Sequence, residues 1–198
     1  MNSNHKLFKT VLNGTLHAAV FAAVLFAASN AFAQGAWLDV AKVANWNKAS
    51  AAIPTAKADN AQNSQCAEGI RPAVLAADKM LTAKGWVLVD AAKIFGPVTL
   101  IMGASGFDGM CRPEGYNAFV FVGDKFAGTL APKEMGARTD GSLTAVYLNS
   151  ASNINAEYSR FTLSDALCCP SRSSNMSFSI KDGIVVPGEA FTTKNSTK

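Results

Sequence analysis

Four cysteines carry the most specific chemistry in this 198-residue sequence: Cys66, Cys111, Cys168 and Cys169. An even number of cysteines in an exported chain predicts a disulfide framework. Three pairings are possible, and a bond between the adjacent Cys168 and Cys169 is the least favoured because it closes a strained small ring. Neighbouring residues of an extended segment point in opposite directions. We therefore expect Cys168 and Cys169 to reach separately to Cys66 and Cys111, in an order that the sequence leaves open.

A redox pair and a metal site are the alternatives for these sulfurs. Neither is favoured, because the sequence has no C-x-x-C spacing to activate a thiol or to grip zinc. Both histidines, His5 and His17, lie in the first 33 residues, which read as a removable leader. Without them, a mature chain cannot assemble Ser-His-Asp or Cys-His catalysis, or an imidazole metal site. We therefore expect no catalytic residue, no metal site and no cofactor.

Carboxylates are the remaining candidates for acid–base catalysis, as Asp108 with Glu114 or Asp140 with Asp165. Most of the acids, however, stand beside Gly or Ser in predicted turns. Aspartate is favoured there because its side chain hydrogen-bonds to the local backbone. The sequence therefore favours a protein that is not an enzyme.

Three arginines flank the cysteine-rich end of the chain: Arg138, Arg160 and Arg172. Guanidinium groups bind carboxylates and other anions in a bidentate manner, so the three could jointly form an anion-binding or partner-binding surface. The alternative is that each is an ordinary solvated surface arginine. This end of the chain is nevertheless the first place to look for a ligand.

The N-terminus has the pattern of a signal peptide. Lys6 and Lys9 precede an apolar run over 18–28, and Ala31-Phe32-Ala33 supplies the small-x-small site, so we predict cleavage between Ala33 and Gln34. An uncleaved membrane anchor is the alternative, but polar residues interrupt the run, and a spanning helix needs about 20 mainly apolar residues. No cysteine follows the cleavage site. The prediction is a periplasmic or secreted protein without a lipid anchor.

The charge of the mature chain excludes one class of partner. Removing 33 of 198 residues leaves 165, with 16 basic residues instead of 18 and all 14 acidic ones, so the net charge is about +2. These charges are interspersed, and no Lys/Arg run exists to follow a phosphate backbone. We expect no nucleic-acid partner, and no membrane span in the mature chain because a second long apolar run is missing.

Two helices are predicted before the strands begin. Residues 36–48 place apolar side chains on one helical stripe. Residues 49–65, rich in Ala, Asn, Ser and Lys, predict a mobile connector. Residues 71–84 predict a second helix, with Pro72 in its first turn and Gly85 at its end.

The rest of the chain has the patterns of β-strands. Short apolar runs or alternating patterns occupy residues 86–89, 98–102, 116–122, 125–130, 143–148, 154–158 and 176–180. Gly123-Asp124 predicts the turn of a hairpin between two of these strands, and Asp-Gly pairs at 108–109, 140–141 and 182–183 predict further turns. Successive strands joined by short polar turns favour antiparallel pairing.

The predicted fold class is therefore α+β: one or two N-terminal helices followed by a mainly antiparallel sheet of about five to seven strands, with two disulfides. The domain organisation is a signal peptide (1–33), an N-terminal helix and flexible connector (34–65), a single domain (66–187) and a polar C-terminal tail (188–198) that we expect to fray.

Two stretches resemble a known family. AFVFVGDKFAGTLAP (118–132) is similar to the strand–turn–strand hairpin of the LppP/LprE-type envelope proteins, and DALCCPS (165–171) followed by MSFSI (176–180) is similar to the cysteine segment near the end of their domain. RTDG (138–141) lies between the two, where such proteins have a loop. The resemblance covers residues 66–180. It implies an envelope location and disulfides, and it carries no enzymatic activity over to this chain. Many members are lipoproteins, whereas this chain has no cysteine after its signal.

Two functions are compatible with these patterns. The first is a non-catalytic cell-envelope protein that binds a partner or has a structural role. The alternative is an inhibitor of a secreted hydrolase such as lysozyme or a protease, because a pre-organised loop loses little entropy on binding. The loops at 103–115 and 131–142 are the candidates for that contact.

Overall fold

The computed structural model describes residues 35–40, 42–48, 51–57 and 64–195. The predicted signal peptide, with its cleavage point between Ala33 and Gln34, lies outside the described residues, and so do parts of the predicted connector.

Ten strands make up most of the regular secondary structure in the described chain. They are β1 (Val87–Phe95), β2 (Val98–Ala104), β3 (Gly106–Phe107), β4 (Pro113–Glu114), β5 (Asn117–Val122), β6 (Lys125–Thr129), β7 (Leu143–Ser150), β8 (Asn153–Arg160), β9 (Arg172–Lys181) and β10 (Ile184–Lys194). Helical structure among the described residues consists of one α-helix, α1 (Ala76–Thr82), and two 3₁₀ turns, Ala36–Leu38 and Ala67–Gly69.

The strands form two four-stranded antiparallel sheets and one small pair. The first sheet has the order β1-β2-β5-β6, the second the order β10-β9-β8-β7, and β3 pairs with β4. The sheets also contact each other at both edges, β1 against β7 and β6 against β10. The predicted antiparallel pairing is confirmed. The predicted α+β class is only partly right, because the described residues hold more strands than the five to seven expected and only one short α-helix.

The main core lies between the two sheets. Alternate residues of each strand point into it, as Val98 and Leu100 do from β2 and Ile154 from β8. The opposite face of the first sheet is also buried, because Ile101 and Phe119 pack there against α1 and Ile53. The first sheet is therefore covered on both faces. This double burial explains why 117–122 is nearly continuously apolar.

The predicted helix over 36–48 is wrong. Of the residues in this range that the structure describes, only Ala36–Leu38 is helical, as one 3₁₀ turn, and 43–48 has no helical structure. Tertiary contacts replace the helix: Trp37 packs edge-on against Tyr158, with ring centroids 5.2 Å apart, and Trp46 does the same against Phe178 at 6.2 Å. Helices this short depend on packing, and here the packing favours an irregular segment laid against the second sheet.

Asn47 joins the two sheets where β6 meets β10. Its Nδ2 donates to the carbonyls of Thr129 (3.0 Å) and Val185 (3.1 Å), and its Oδ1 accepts the Thr129 N–H at 2.9 Å. Gly128 permits this approach, because a Cβ there would stand 2.3 Å from the Asn47 side chain and the backbone φ is +139°. The segment before the domain is thus part of its hydrogen-bonded frame.

The predicted mobile connector is also partly docked. Ile53 is buried, the Trp86 indole donates to the Pro54 carbonyl at 2.7 Å, and the Ala56 N–H donates to the Lys84 carbonyl at 2.9 Å. The expectation of mobility is therefore wrong for 51–57, which covers the outer face of the first sheet.

The helix predicted over 71–84 is confirmed in part, as the shorter α1. Asp78 organises its start: the carboxylate accepts the N–H groups of Val74 (3.0 Å) and Leu75 (2.9 Å) and binds the Arg71 guanidinium at 2.7 and 2.5 Å. Burial opposes ionisation of Asp78, but these bonds outweigh it and hold its pKa below the usual 3.8. Pro72 lies before α1 rather than in its first turn.

We expect Asp78→Asn to lower the free energy of unfolding by about 2 kcal/mol, because it breaks charge-assisted bonds to a side chain that is 0% exposed. A carboxylate whose pKa is lower in the folded state stabilises the fold at pH values above its pKa in the unfolded state. This contribution is lost as the pH falls through the pKa of the folded state. Urea titrations of wild type and variant should therefore converge below about pH 4. The exposed Asp124→Asn is the control, and a loss as large there would contradict this role for Asp78.

The predicted hairpin is confirmed as β5 and β6, joined at Gly123-Asp124. The expected fraying of the chain from Gly188 is wrong for the described part of the tail, because β10 continues to Lys194 and pairs with β9. Residues 196–198 lie outside the described residues. A register irregularity between Pro187 and Ala190 accommodates the proline and glycine that interrupt the strand pattern.

The disulfide prediction needs correction. Cys66 pairs with Cys111, with Cα atoms 5.3 Å apart, and Cys168 pairs with Cys169. Among the described residues, a single disulfide therefore cross-links distant segments, rather than two. The expectation assumed that 168–169 is extended, whereas Cys168 lies in a turn and the Cys169 N–H donates to the Ala166 carbonyl at 2.9 Å.

Candidate functional site

Arg160 is not part of a solvent-facing surface, so that prediction is wrong. Its side chain is 1% exposed and its guanidinium donates to Asp140 Oδ1 (2.9 Å), Asp39 Oδ2 (2.6 Å) and Ser174 Oγ (3.1 Å). Burial disfavours its charge, but the two carboxylates outweigh burial and raise its pKa above the usual value. Arg160 is a buried structural cation.

The other two predicted arginines do not share a surface. Arg172 begins β9 opposite Arg160, and its Nε is buried without a hydrogen-bond partner among the described residues. Arg138 is exposed in the loop before β7 and lines a cleft to which Arg172 does not contribute. The three arginines therefore do not form one anion-binding surface.

The cleft that Arg138 lines has a volume of about 320 Å³. Residues of β1, β2, β7 and β8 form its walls together with the loops before β4 and β7 and after β8. Its lining is mainly apolar, with these side chains contributing: Val89, Met102, Pro113, Tyr116, Ala137, Leu143, Phe161, Leu167 and Pro170. The charged groups in the lining are Asp90, Arg112 and Arg138.

Asp90 and Arg138 are held in an unusual backbone conformation. Each has φ +57°, in the left-handed region that a residue with a side chain adopts at a cost. Asp90 interrupts the β1–β2 register between Val89 and Lys93, which turns it out of the ladder. Neither makes an ion pair within the described part of the chain. Two opposite charges without partners thus face an apolar cleft.

Loop 103–115 borders the cleft and is rigidly held. The Cys66–Cys111 disulfide anchors it, and the Asp108 carboxylate accepts the N–H groups of Met110 (2.8 Å) and Arg112 (3.0 Å). Asp108 also accepts the Arg112 Nε–H at 2.6 Å. The hydrogen bond from the Arg112 backbone N–H, together with those from the Met110 N–H and the Arg112 side chain, lowers the pKa of Asp108. The loop presents Met110 with 70% of its surface exposed.

The carboxylates considered for catalysis are engaged in other contacts. Asp140 binds Arg160 and accepts the Phe161 N–H at 2.8 Å. Asp165 accepts the N–H groups of Thr162 (2.7 Å) and Ser171 (3.0 Å), which lowers its pKa to about 2. Asp108 likewise has a lowered pKa. A general acid needs a raised pKa, so these lowered pKa values do not suit that role.

Two further findings concern the described residues only. They contain no group of three or more His, Cys, Asp or Glu side chains placed to hold a metal ion. No helix among them is long and apolar enough to cross a membrane.

Sequence reasoning missed Asp90 and Asp39. Nothing in VLVDAAK distinguishes Asp90 from an outward-facing strand residue, and Asp39 lies 121 positions from its partner Arg160. The burial of Arg160 did have a signal. Ile154, Ala156 and Tyr158 alternate on the buried face of β8, and Arg160 continues that alternation.

The comparisons with known proteins support the resemblance predicted from the sequence over part of its range. Residues 98–183 match a family model described as LppP/LprE lipoprotein, which confirms the predicted family over that range. The match begins at β2, so Cys66 and α1 lie outside it. A lipoprotein family indicates an envelope protein. No curated protein and no solved structure matches the chain.

Proposed function

We propose that this protein is a non-catalytic binding module of the cell envelope, exported and released without a lipid anchor. The LppP/LprE match over 98–183 supports the envelope location. The leader pattern over 1–33 supports export, and the lack of a cysteine after the predicted cleavage site supports an unlipidated form. The intact mass of natively produced protein tests this part, because cleavage before Gln34, an added lipid and an unprocessed Met1 each give a different mass.

The cleft is the observation that carries the binding function. Largely apolar pockets with a few placed polar groups are typical ligand sites. Here Asp90 and Arg138 supply the polar groups, in backbone conformations that the surrounding fold must impose. The neighbouring loop is fixed by the Cys66–Cys111 disulfide, so little order has to be gained on binding.

Affinity capture from the envelope fraction tests the binding function. The full-length protein, produced with a C-terminal tag and cross-linked in cells, should retain a molecule that Arg138→Gln loses. Lys133→Gln is the matched control, since it removes the same charge from the same loop outside the cleft lining. Identical capture by wild type and Arg138→Gln would show that the cleft is not the binding site.

The absence of catalysis is tested separately. The purified protein should not turn over peptidoglycan, peptide or ester substrates above the blank. An activity abolished by changing one carboxylate, such as Asp90→Asn or Glu114→Gln, would overturn the non-catalytic part of the proposal.

Inhibition of a secreted hydrolase is the second candidate, and Met110 favours it. A rigid loop that presents one exposed apolar side chain can enter a hydrolase pocket at low entropic cost. In a panel of lysozymes and proteases we expect Met110→Glu to abolish any inhibition, because it would bury an unpaired charge. Leu163→Glu, at a position 84% exposed in another loop, is the control. Equal losses, or no inhibition at micromolar protein, would count against this function.

A further inference from the structure

We propose that the cleft binds a carboxylate carried on an apolar body, with the carboxylate at Arg138 and the apolar part against the walls. This inference rests on the proposed binding function and names its ligand class.

The cationic end of the site has unused hydrogen-bond donors. Arg112 binds Asp108 through Nε and Nη2, whereas its Nη1 is buried and has no hydrogen-bond partner within the described part of the chain. That Nη1 atom has almost no solvent-accessible surface, so a ligand in the open cleft does not reach it, and the rest of the Arg112 guanidinium is bound to Asp108. Arg138, by contrast, is exposed in the lining and forms no ion pair among the described residues. One guanidinium can hold both oxygens of a carboxylate.

The charge balance of the lining favours a ligand with a single negative charge. Asp108 neutralises Arg112, which leaves Arg138 and Asp90 as opposite unpaired charges in the lining. A second negative charge on the ligand would approach the Asp90 carboxylate in a largely apolar cleft, where repulsion is stronger than in water. A carboxylate therefore suits the site better than a phosphate dianion.

The apolar part of the site defines the rest of the ligand. Val89, Phe161 and Leu143 are buried wall residues, and Leu167 is a rim residue with 68% of its surface exposed. An exposed leucine beside a cleft gains contact area when an apolar ligand enters. A volume of about 320 Å³ is at the small end for ligand pockets. The site therefore fits a short chain, either a fatty acid or the free carboxyl end of a short apolar peptide.

Titration calorimetry on the purified full-length protein tests this ligand class. The probes are octanoate, octanol, octylamine, inorganic phosphate and acetyl-Leu-Leu with a free or amidated carboxyl end. We expect octanoate or free acetyl-Leu-Leu to bind and the four uncharged, cationic or dianionic probes to bind at least about tenfold more weakly, the value of one charge-assisted hydrogen bond. The preference between octanoate and the peptide identifies the source of the carboxylate.

Three variants check where the carboxylate lies. Arg138→Gln should weaken octanoate binding about tenfold and Lys133→Gln less than twofold. Asp90→Asn should strengthen it, because the repelling charge is removed while asparagine tolerates the left-handed backbone. Circular dichroism confirms that each variant is folded. If Arg138→Gln does not fold, Arg138→Lys replaces it, with an intermediate loss of affinity expected.

The outcomes separate this inference from the proposed function. Equal binding of octanol and octanoate, no binding of either carboxylate, or weaker binding by Asp90→Asn would overturn the ligand class. If Arg138→Gln still loses the molecule captured from the envelope, the binding function stands with another ligand. If Arg138→Gln changes neither measurement, both are wrong.

Discussion

Replacing Arg160 with methionine is expected to lower the free energy of unfolding by about 3–5 kcal/mol. The guanidinium is 1% exposed and Asp140 is 6% exposed, so the variant leaves a carboxylate buried without its cation. The Phe161 N–H, which donates to the same carboxylate at 2.8 Å, cannot neutralise that charge. Urea denaturation at pH 7, followed by tryptophan fluorescence, measures the loss.

Two further variants identify its cause. Asp39→Asn should cost less than about 1 kcal/mol, because the Asp39 side chain is 56% exposed and water replaces the lost bond. Adding Asp140→Asn to Arg160→Met should recover part of the stability, because the buried charge is then gone. A loss for Asp39→Asn equal to that of Arg160→Met would show that burial is not the reason.

Removing the Cys66–Cys111 disulfide is the second large effect. The two cysteines are 45 positions apart, and the chain-entropy relation gives a loss of about 4 kcal/mol for a loop of that length. The variant is Cys66→Ala with Cys111→Ala, which leaves no unpaired thiol of the pair. Thermal unfolding followed by circular dichroism should show a clearly lower Tm.

Cys168→Ser with Cys169→Ser is the matched control. These residues are adjacent, so their bond restricts little of the unfolded chain and its removal should shift the Tm much less. Where the Cys66/Cys111 variant does not accumulate, melting of the Cys168→Ser, Cys169→Ser variant with and without reductant isolates the contribution of the Cys66–Cys111 bond. A larger loss for the 168–169 variant would show that the long loop is not the source of stability.

Local patterns were sufficient where each strand buries a regular face. The hairpin of β5 and β6 followed from its apolar run and its Gly-Asp turn, because both signals are contained in 116–130. Trp37 and Val40 show the opposite case. Their spacing suggested a helical stripe, yet Val40 is 47% exposed and Trp37 packs against a tyrosine 121 positions away. Aromatic and apolar residues three apart are compatible with either outcome, and only the partner surface decides.

The site was less predictable than the strands. Arg138 was identified from its residue type, but its backbone conformation, the cleft and the opposite charge of Asp90 depend on segments that are distant in sequence. The cysteine pairing failed for the same reason, because a turn at 167–168 changes which sulfurs are close. Periodicity describes which face a side chain is on, not which loop lies opposite it.

By itself, the sequence determined the leader pattern, the family resemblance, the antiparallel strands and the residue types available for chemistry. Each of these depends on neighbouring residues or on composition, so it can be read within one segment. Only the tertiary structure decided that Arg160 is a buried cation, that Cys66 pairs with Cys111 and that Asp90 and Arg138 share a cleft. These depend on contacts between distant segments, whose energies exceed any local preference.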